Sequence, residues 1–372
     1  MIVKGVCSPE FKEIKKIFQN FFDTGKESGA NFSVVQNNKI LINIFGGMKN
    51  SKEKWCENTI VNTFSLSKGI YASCIAKLIN QKDLDIEKKV SYYWPKFKFE
   101  KENITVKDVL SHKSGIYRFK TKISNLDLLD FEKIISILEK QTPDHKPGEK
   151  TFYHAKTHGY LVEKLIRNIT EMNLKKFFDK NFNHKFNLNF HFGVDKKNLN
   201  NVAELIDDRN YNKLISVNFN AFNNPEHEIN FYNSEKWRLT GVASMGGHGT
   251  ALTVAKIYDL LANDMKFNNN KIINQSKLKK ILIQSNFSND ESLKLPIKWT
   301  YSGYILRGGW LFGPNKEAFG HNGWGGSLGF ADPIEGLGIS YVTRKVEQEA
   351  DKDKRAITLI KKFYEIYKTC KQ

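Results

Sequence analysis

The residues of this chain best suited to nucleophilic chemistry are Ser65 and Lys68, in the segment Phe-Ser-Leu-Ser-Lys-Gly at 64–69. Residues three positions apart lie on one face of a helix, so the hydroxyl and the amine can meet. A serine needs a base to become a nucleophile, and a lysine can act as one where burial or a nearby cation lowers its pKa. The spacing therefore predicts a serine nucleophile with a lysine partner.

The Ser-x-x-Lys spacing also occurs at 51–54 and 276–279, so the surroundings of each copy must distinguish them. Both of those copies lie among further lysines, where a lysine three residues on carries little information. Ser65 instead opens a segment with apolar residues at helical spacing over 71–79, which predicts a helix that buries Lys68. The alternative interpretation is that Ser65 only caps this helix.

A second serine, Ser327, lies in Gly-Gly-Ser-Leu-Gly at 325–329 and matches the G-x-S-x-G nucleophile elbow of α/β-hydrolases. An elbow needs a strand before the serine and a helix after it. Here Phe-Ala-Asp-Pro and then a second strand-like segment follow, which predicts a hairpin. We therefore interpret the glycines as structural and rank Ser327 below Ser65 as the nucleophile.

The elements that must position these residues come from both ends of the chain. Near the N-terminus the pattern predicts a helix over 8–22 and a hairpin over 32–45 with an Asn-rich turn at 36–39. Near the C-terminus it predicts two strands, at 327–331 and 337–343, and a last helix at 350–367. The stretch between them, from about residue 66 to 265, is mostly helical in pattern and includes predicted helices over 127–141 and 159–169. We expect one antiparallel sheet built from both termini, flanked by helices, with a mostly helical lobe inserted.

This pattern predicts an α/β lobe over residues 1–75 and 235–372 and a mostly helical lobe over 76–234. The seam between two lobes is where a pocket is expected, so we place the active site there. The segment 181–233 is rich in Asn, Phe and Lys with weak periodicity, and it receives no secondary-structure assignment. We expect this segment and the loop around Trp310 to supply the walls of the pocket.

Composition excludes several classes of protein. With 40% hydrophobic and 13% aromatic residues in 372, the chain has enough apolar surface for a folded core. No window approaches the run of about 18 apolar residues that spans a membrane, and the N-terminus lacks a secretory signal. Four cysteines without a C-x-x-C pair fit free thiols in a reducing compartment. We predict a cytoplasmic protein without membrane association.

The net charge of +18 comes from 51 Lys and only seven Arg, spread along the chain. Nucleic-acid binders rely on Arg for phosphate and base contacts, so we expect no nucleic-acid partner and keep a basic binding protein as an outside hypothesis. His154 and His158 have the i, i+4 spacing of metal ligands, but a third ligand and an H-E-x-x-H motif are missing. Neither a metal nor an organic cofactor is expected.

Four segments, in order, carry a family resemblance that covers most of the chain and is weakest over about 170–235. They are FSLSKGIYA at 64–72, VLSHKSGI at 109–116, PGEKTFYHAKTHGYLVEKLI at 147–166 and FGHNGWGGSLGFADPIEGLGISYV at 319–342, with YWPKF at 93–97. The sequence resembles the serine β-lactamase and penicillin-binding-protein-like superfamily, in its carboxylesterase branch. That fold also has an α/β lobe built from both termini and a helical lobe between them.

The resemblance implies roles for particular residues. Ser65 matches the nucleophile, Lys68 its partner amine, and Tyr153 the tyrosine of the proton relay. His321-Asn322-Gly323 falls where β-lactamases carry Lys-Thr-Gly on the strand lining the pocket. The family's oxyanion hole uses backbone N–H groups of the nucleophile and of the residue after that glycine, which here are Ser65 and Trp324.

Two departures bear on the substrate. Ala155 replaces the Asn that binds the acylamide side chain of β-lactams, and His321 replaces a Lys that attracts a substrate carboxylate. An alanine methyl donates no hydrogen bond, and a neutral imidazole has no full charge. Similar changes in the esterase branch favour simple acyl esters. His112 matches a family landmark at a helix end, and we interpret it as structural.

The sequence thus predicts a serine hydrolase that cleaves a small-molecule carboxylic ester through an acyl-enzyme on Ser65. Tyr153, with Lys68 alongside, would accept the serine proton. This requires that the pKa of Tyr153 or of Lys68 lies well below its ordinary value, and a neighbouring cation would lower that of the tyrosine. The alternatives are a β-lactamase or D-amino-acid peptidase, acting on an amide, and a non-catalytic scaffold of the same fold. Trp310 and Trp324 are candidates to line the acyl pocket, and the sequence does not indicate an oligomeric state.

Overall fold

The computed structural model describes residues 2–98, 100–207, 220–263, 266–267, 270–271, 285–306, 311–347 and 353–371. Its strands, in chain order, are β1 Lys4–Cys7, β2 Gly29–Gln36, β3 Lys39–Gly47, β4 Val61–Asn62, β5 Phe190–Phe192, β6 Ile206–Asp207, β7 Gly247–Gly249, β8 Lys266–Phe267, β9 Asn270–Lys271, β10 Ser285–Asp290, β11 Leu295–Thr300, β12 Ile305–Leu306, β13 Phe319–Asn322, β14 Leu328–Asp332, β15 Leu337–Thr343 and β16 Lys345–Val346.

The α-helices are α1 Lys12–Asp23, α2 Leu66–Gln81, α3 Val90–Tyr93, α4 Val106–Leu110, α5 Phe131–Lys140, α6 Thr157–Thr170, α7 Leu174–Phe178, α8 His184–Phe186, α9 Asn220–Asn223, α10 Ile229–Asn233, α11 Glu235–Thr240, α12 Ala251–Ala262 and α13 Lys354–Lys371. Short 3-10 turns lie at Pro9–Phe11, Asp127–Leu129 and Lys196–Asn201, and a π-helical turn at Asp179–Asn183.

One antiparallel sheet of nine described strands organises the fold, in the order β1-β3-β2-β15-β14-β13-β12-β11-β10. The strands nearest the N-terminus pair with those near the C-terminus through β2 and β15, in register from Gly338↔Val35 to Thr343↔Ala30. Helices α1 and α13 pack together on this sheet, with Phe11 and Phe363 rings 5.0 Å apart. The predicted mixed α/β fold, with a sheet drawn from both termini and flanked by helices, is confirmed.

The β2–β3 hairpin forms where the Asn-rich turn predicted it. Asn37 and Asn38 both have positive φ, 49° and 64°, the conformation that a two-residue hairpin turn requires and that Asn tolerates. Their N–H groups donate to the Asp259 carboxylate at 2.8 and 2.9 Å. This contact ties the hairpin to α12 on the opposite face of the sheet from α1 and α13.

Several element boundaries differ from the sequence expectation. The helix predicted over 127–141 is divided at Asp130, whose side chain accepts a hydrogen bond from the Lys133 N–H and caps α5. The last helix begins at Lys354, and residue 350, where we expected its start, lies outside the described residues. The unassigned segment 181–233 contains β5, β6 and short helices, and 208–219 lie outside the described part.

Buried apolar side chains form two large clusters that meet near α2. One contains the helix α2 together with the helices that follow it, and includes Phe64. The other contains the sheet with α1 and α13, and includes Tyr153 and Ala155. The division into lobes at residues 75 and 235 stays a prediction. No described helix has the length and apolar composition to cross a bilayer.

Candidate active site

Ser65 stands at the start of α2 on a sharply turned backbone. Phe64 before it has a φ of +46°, which is an outlier for a bulky residue and typically costs about 1–3 kcal/mol. Edge-to-face packing of Phe64 on Tyr232 and Trp324, with ring centroids 5.3 and 5.0 Å away, stabilises this conformation. Ser65 makes no capping hydrogen bond to the helix, which disfavours the interpretation of it as a simple cap.

Lys68, one turn into α2, is fully buried with its Nζ 3.1 Å from Ser65 Oγ. Nζ also donates to the carbonyls of Ala155 and Ser244, at 2.8 and 2.9 Å. Burial, with the nearby charge of Lys156, holds the pKa of Lys68 well below its usual range. An ammonium would donate to all three oxygens, whereas an amine that has lost a proton would donate to the two carbonyls and accept the Ser65 hydroxyl proton.

Tyr153 contacts the same serine from the other side. Its phenol is hydrogen-bonded to the Ser65 side chain, and its ring stacks on Trp299 with centroids 5.5 Å apart and planes 5° from parallel. Lys68 Nζ lies 5.0 Å from the ring centroid. Burial raises the pKa of Tyr153, and the Asp290 carboxylate adds to this. Of the two groups expected to have a lowered pKa, Lys68 does and Tyr153 does not, because desolvation dominates at the phenol.

The segment that carries Tyr153 is held by His112, which has a φ of +60° and is fully buried. The His112 carbonyl accepts the Phe152 N–H at 3.0 Å, and its Nδ1 accepts the His154 N–H at 3.1 Å. Between these bonds the Tyr153 N–H donates to Asp290 Oδ1 at 3.2 Å. His112 has the structural contacts that we expected for it.

The two histidines at metal-like spacing are occupied by protein hydrogen bonds. His154 Nδ1 lies 2.6 Å from the Phe152 carbonyl, and its Nε2 lies 2.6 Å from Ser114 Oγ. His158 Nδ1 is hydrogen-bonded to the Tyr71 hydroxyl. Within the described ranges, no group of three or more His, Cys, Asp or Glu side chains is placed to hold a metal ion.

Strand β13 ends against the first turn of α2. A Cβ at Gly323 would lie 2.1 Å from the Thr63 carbonyl oxygen and 3.4 Å from the Leu66 nitrogen, so glycine is needed for this approach. Trp324 follows directly, on the side of α2 where Ser65 begins the helix. Preorganised backbone N–H groups stabilise a developing oxyanion, which is the role that the family resemblance implies for Ser65 and Trp324.

A buried network of charged side chains contacts the turn after Trp324 and holds it in place. Arg355 Nη2 donates to the Gly325 carbonyl at 3.2 Å. The same guanidinium pairs with Glu27 at 2.7 Å and with Asp353 at 2.6 Å, and its side chain is 4% exposed. The start of α13 and the start of β2 thus both contribute to the position of this turn.

The two departures from the family pattern are both at the site. His321 is 2% exposed, with its Nδ1 2.7 Å from the Asn322 carbonyl and its ring 6.2 Å from that of Tyr153. Ala155 contributes its backbone carbonyl to Lys68. Position 321 therefore carries an imidazole where β-lactamases carry an ammonium, and position 155 carries no side-chain amide.

Aromatic rings surround the reacting groups. The imidazole of His227 stacks on Trp324 at 4.6 Å and its Nδ1 lies 2.6 Å from the Tyr232 hydroxyl. The Phe222 ring lies 6.1 Å from that of Tyr153. Aromatic side chains at this place favour contact with apolar groups of a substrate.

Sequence reasoning missed three residues here, Ser244, Trp299 and Lys156, and it covered Phe222 only as part of the segment 181–233. Ser244 acts through a backbone carbonyl, which leaves no mark on the sequence, and Trp299 and Phe222 lie in segments without a motif. The sequence offered one signal for Lys156, since it directly follows the Tyr-His-Ala segment that carries Tyr153 and is a second lysine besides Lys68. Trp310 lies outside the described residues, and its predicted place in the acyl pocket stays a prediction.

Ser327 lacks the setting of an elbow nucleophile. Its Oγ accepts the Thr343 N–H at 3.2 Å, its side chain is 2% exposed, and strand β14 rather than a helix follows it. The hairpin context that we expected from the residues after Ser327 is the one observed.

A serine and a lysine on one helix, beside an antiparallel sheet drawn from both termini, are features of serine hydrolases with the penicillin-binding architecture. A family model described as Beta-lactamase matches residues 14–362 of this chain. The chain belongs to the beta-lactamase family and is a serine hydrolase of that fold. The family resemblance proposed from the sequence is thereby confirmed.

Two solved structures are similar over nearly the whole length. A family VIII carboxylesterase is 29% identical, with a TM-score of 0.92 over 98% of this chain and 100% of that one. A penicillin-binding protein homologue from Caulobacter crescentus is 25% identical, with a TM-score of 0.89 and the same coverage. Esterase/beta-lactamase LipL of Mycobacterium tuberculosis is 24% identical over 366 residues, which cover 92% of this chain and 83% of LipL.

Proposed function

We propose that this hydrolase cleaves small carboxylic esters through a covalent acyl-enzyme on Ser65. The observation that carries the proposal is the contact set of Lys68: Nζ lies 3.1 Å from Ser65 Oγ and donates to two backbone carbonyls. Burial and the charge of Lys156 lower the pKa of this amine, and once it has lost a proton its lone pair can turn to the serine hydroxyl while both carbonyls keep their donors. A buried amine with a lowered pKa is a suitable general base for a serine nucleophile.

In acylation, Lys68 accepts the Ser65 proton while Oγ bonds to the acyl carbon. The carbonyl oxygen takes the negative charge, which the N–H groups of Ser65 and Trp324 stabilise. When the tetrahedral intermediate collapses, the bond to the alcohol oxygen breaks and Tyr153 gives that oxygen its proton. Lys68 then returns a proton to Tyr153, so both groups recover their starting state.

Deacylation follows the reverse path with water. Tyr153 and Lys68 together take one proton from the water as its oxygen bonds to the acyl carbon. The bond from that carbon to Ser65 Oγ breaks, Oγ regains a proton from Lys68, and the carboxylic acid leaves. The roles of base and acid differ from our sequence expectation, because a protonated phenol donates more readily than it accepts.

The contents of the pocket support an ester over a lactam or a D-amino-acid peptide. His321 supplies no permanent charge for a substrate carboxylate, and Ala155 supplies no side-chain donor for an acylamide group. Among the similar proteins, one is a family VIII carboxylesterase and LipL carries both activities in its name. β-Lactam hydrolysis is therefore the second activity to test. A cytoplasmic location and the lack of a nucleic-acid partner stay predictions.

Covalent labelling with a serine-directed fluorophosphonate tests the proposal. Intact mass and peptide mapping should locate one adduct on Ser65, and the labelled protein should no longer hydrolyse p-nitrophenyl esters. A chromogenic cephalosporin, assayed in parallel, compares the two substrate classes on one protein sample. An adduct on Ser327 would overturn the site. Folded protein that takes up no label and cleaves no ester would favour the non-catalytic scaffold.

A further inference from the structure

Lys156 is a buried lysine that the mechanism above does not use. It directly follows Ala155 and is 2% exposed. Its Nζ donates to the carbonyls of Phe222 and Pro225, both at 2.5 Å. No ion pair involves Lys156 among the described residues, so its desolvation is offset only by hydrogen bonds. Burying a lysine in this way is unfavourable, and such groups are often retained for function.

The two carbonyls belong to a short segment, 222–225, that faces the candidate site. Its Phe222 is part of the apolar cluster that contains Tyr153 and Ala155. On the far side, Asn224 donates to the carbonyls of Phe119 and Thr121, at 3.1 and 2.9 Å. The segment is thus anchored twice, by Asn224 to the loop that follows residues 109–116 and by Lys156 to the segment that carries Tyr153.

Lys156 is also connected to Lys68. Its backbone carbonyl accepts the Ser244 hydroxyl at 2.8 Å, and the Ser244 carbonyl in turn accepts Lys68 Nζ at 2.9 Å. One residue thereby joins the wall of the site to the groups that orient the amine. A second ammonium near a lysine also disfavours protonation of that lysine.

We propose that Lys156 is a positioning residue of the ester hydrolysis proposed above. It holds Phe222–Pro225 as an apolar wall of the substrate pocket beside Tyr153, and it sets a second positive charge near Lys68. The wall selects esters whose apolar group packs against the Phe222 ring. This inference rests on the proposed function and adds a substrate preference and a pH dependence to it.

Several titratable groups must be considered around Lys68. They are Lys156, Tyr153, His112, His154, His158 and His321. Burial holds the pKa of the first three of these histidines below the usual range and raises that of the tyrosine, so these four keep one charge state near neutral pH. Burial lowers the pKa of Lys156 to about 7, so its charge is present below that pH and lost above it.

The test is Lys156→Met in the full chain, assayed with p-nitrophenyl esters of increasing acyl length and across pH. Methionine keeps the apolar volume and removes the N–H donors. The ratio of kcat/KM between the best and the worst acyl length should fall by about tenfold, because Phe222–Pro225 is no longer held in place. The acidic limb of kcat/KM should move about one unit toward higher pH, because Lys68 now binds its proton more readily.

Lys101→Met is the matched control. Lys101 is equally buried and donates to two carbonyls, of Glu139 and Gln141, at 3.0 and 2.7 Å, at the end of α5. Its loss should lower stability without changing the acyl preference or the pH profile. If Lys101→Met reproduces both changes, Lys156 acts only through general stability and the inference is wrong.

Two further variants keep the inference testable if Lys156→Met does not fold. Lys156→Gln keeps an amide donor but removes the charge, so it should shift the pH limb and retain most of the acyl preference. Phe222→Ala should flatten the acyl preference by itself, and Lys156→Met should add no further flattening in that background. An unchanged preference in Phe222→Ala would show that Phe222 does not form a wall of the substrate pocket.

Wild-type protein without esterase activity would instead overturn the proposed function. An active wild type with unaffected Lys156 variants would overturn only this inference.

Discussion

Lys68 Nζ lies 3.1 Å from Ser65 Oγ and shares that oxygen with the phenol of Tyr153. The pKa values of these two partners are shifted in opposite directions, because burial disfavours the charged form of each: it lowers the pKa of the lysine and raises that of the tyrosine. In the mechanism proposed above, the lysine therefore acts as the base and the tyrosine as the acid on the same hydroxyl. The predictions below follow from this pairing and from the structure that supports it.

Ser65→Ala should abolish ester hydrolysis, because no other group at this position can form the acyl-enzyme. Ser327→Ala serves as the matched control, since that hydroxyl bonds to the Thr343 N–H. It should keep most of the activity. Initial rates on a short-chain p-nitrophenyl ester measure both variants. Full activity in Ser65→Ala would rule out the proposed nucleophile.

Lys68→Met should also be inactive, and its stability should respond less to pH. The folded pKa of Lys68 lies well below the 10.5 of an exposed lysine, so the unfolded chain binds a proton that the folded chain lacks. The free energy of unfolding of the wild type should therefore rise with pH between those two values, by about 1.4 kcal/mol per unit for one proton.

Urea denaturation at several pH values between neutral and alkaline measures this slope. Removing the amine removes its contribution, so the curve of Lys68→Met should be flatter than that of the wild type. Lys101→Met provides a comparison in which a different buried lysine is lost. Identical slopes for Lys68→Met and the wild type would mean that Lys68 is protonated in the folded protein, which contradicts its assignment as the base.

Tyr153→Phe should reduce kcat by about 10²-fold or more, the usual effect of losing a general acid or base. The ring still stacks on Trp299, so the thermal midpoint should change little. Steady-state kinetics with a melting curve on the same sample separate catalysis from folding. A variant with wild-type kcat would show that the phenol takes no part in proton transfer.

Arg355→Met should affect both stability and activity. Its removal leaves the carboxylates of Glu27 and Asp353 buried without their cation, which typically costs about 3–5 kcal/mol. It also removes the donor to the Gly325 carbonyl, next to Trp324. We expect a lower denaturation midpoint and a lower kcat at a temperature where the variant is folded.

The surface pair Lys362–Glu13, 3.4 Å apart, offers the control for that experiment, since Lys362 lies on the same helix α13. Lys362→Met should change stability by less than about 1 kcal/mol and leave kcat unchanged, as exposed ion pairs contribute little. If Arg355→Met behaves like Lys362→Met, the buried network does not support the turn at Gly325.

Local patterns were sufficient to predict much of the fold. The Asn-Asn turn at 37–38, the helical periodicity after Ser65 and the strands on either side of 332–337 all depend on residues close together in the chain. The order of four short segments then identified the family, whose fold agrees with the sheet already expected from the patterns at both termini. The break at Asp130 was not predicted, because the apolar pattern continues across it. The Asp130 side chain caps α5 there, and such a capping bond does not change the periodicity of the apolar residues.

The sequence by itself determined which side chains were available for chemistry: Ser65, Lys68 and Tyr153. Only the tertiary structure decided their protonation, which depends on burial and on partners far along the chain. Lys68 meets the carbonyls of Ala155 and Ser244 across 87 and 176 residues, and a backbone carbonyl carries no side-chain signature. The hydrogen bonds from Lys156 to the carbonyls of Phe222 and Pro225 likewise leave no side-chain signature in the sequence. A pKa is set by desolvation and by neighbouring charge, and both exist only after the chain has folded.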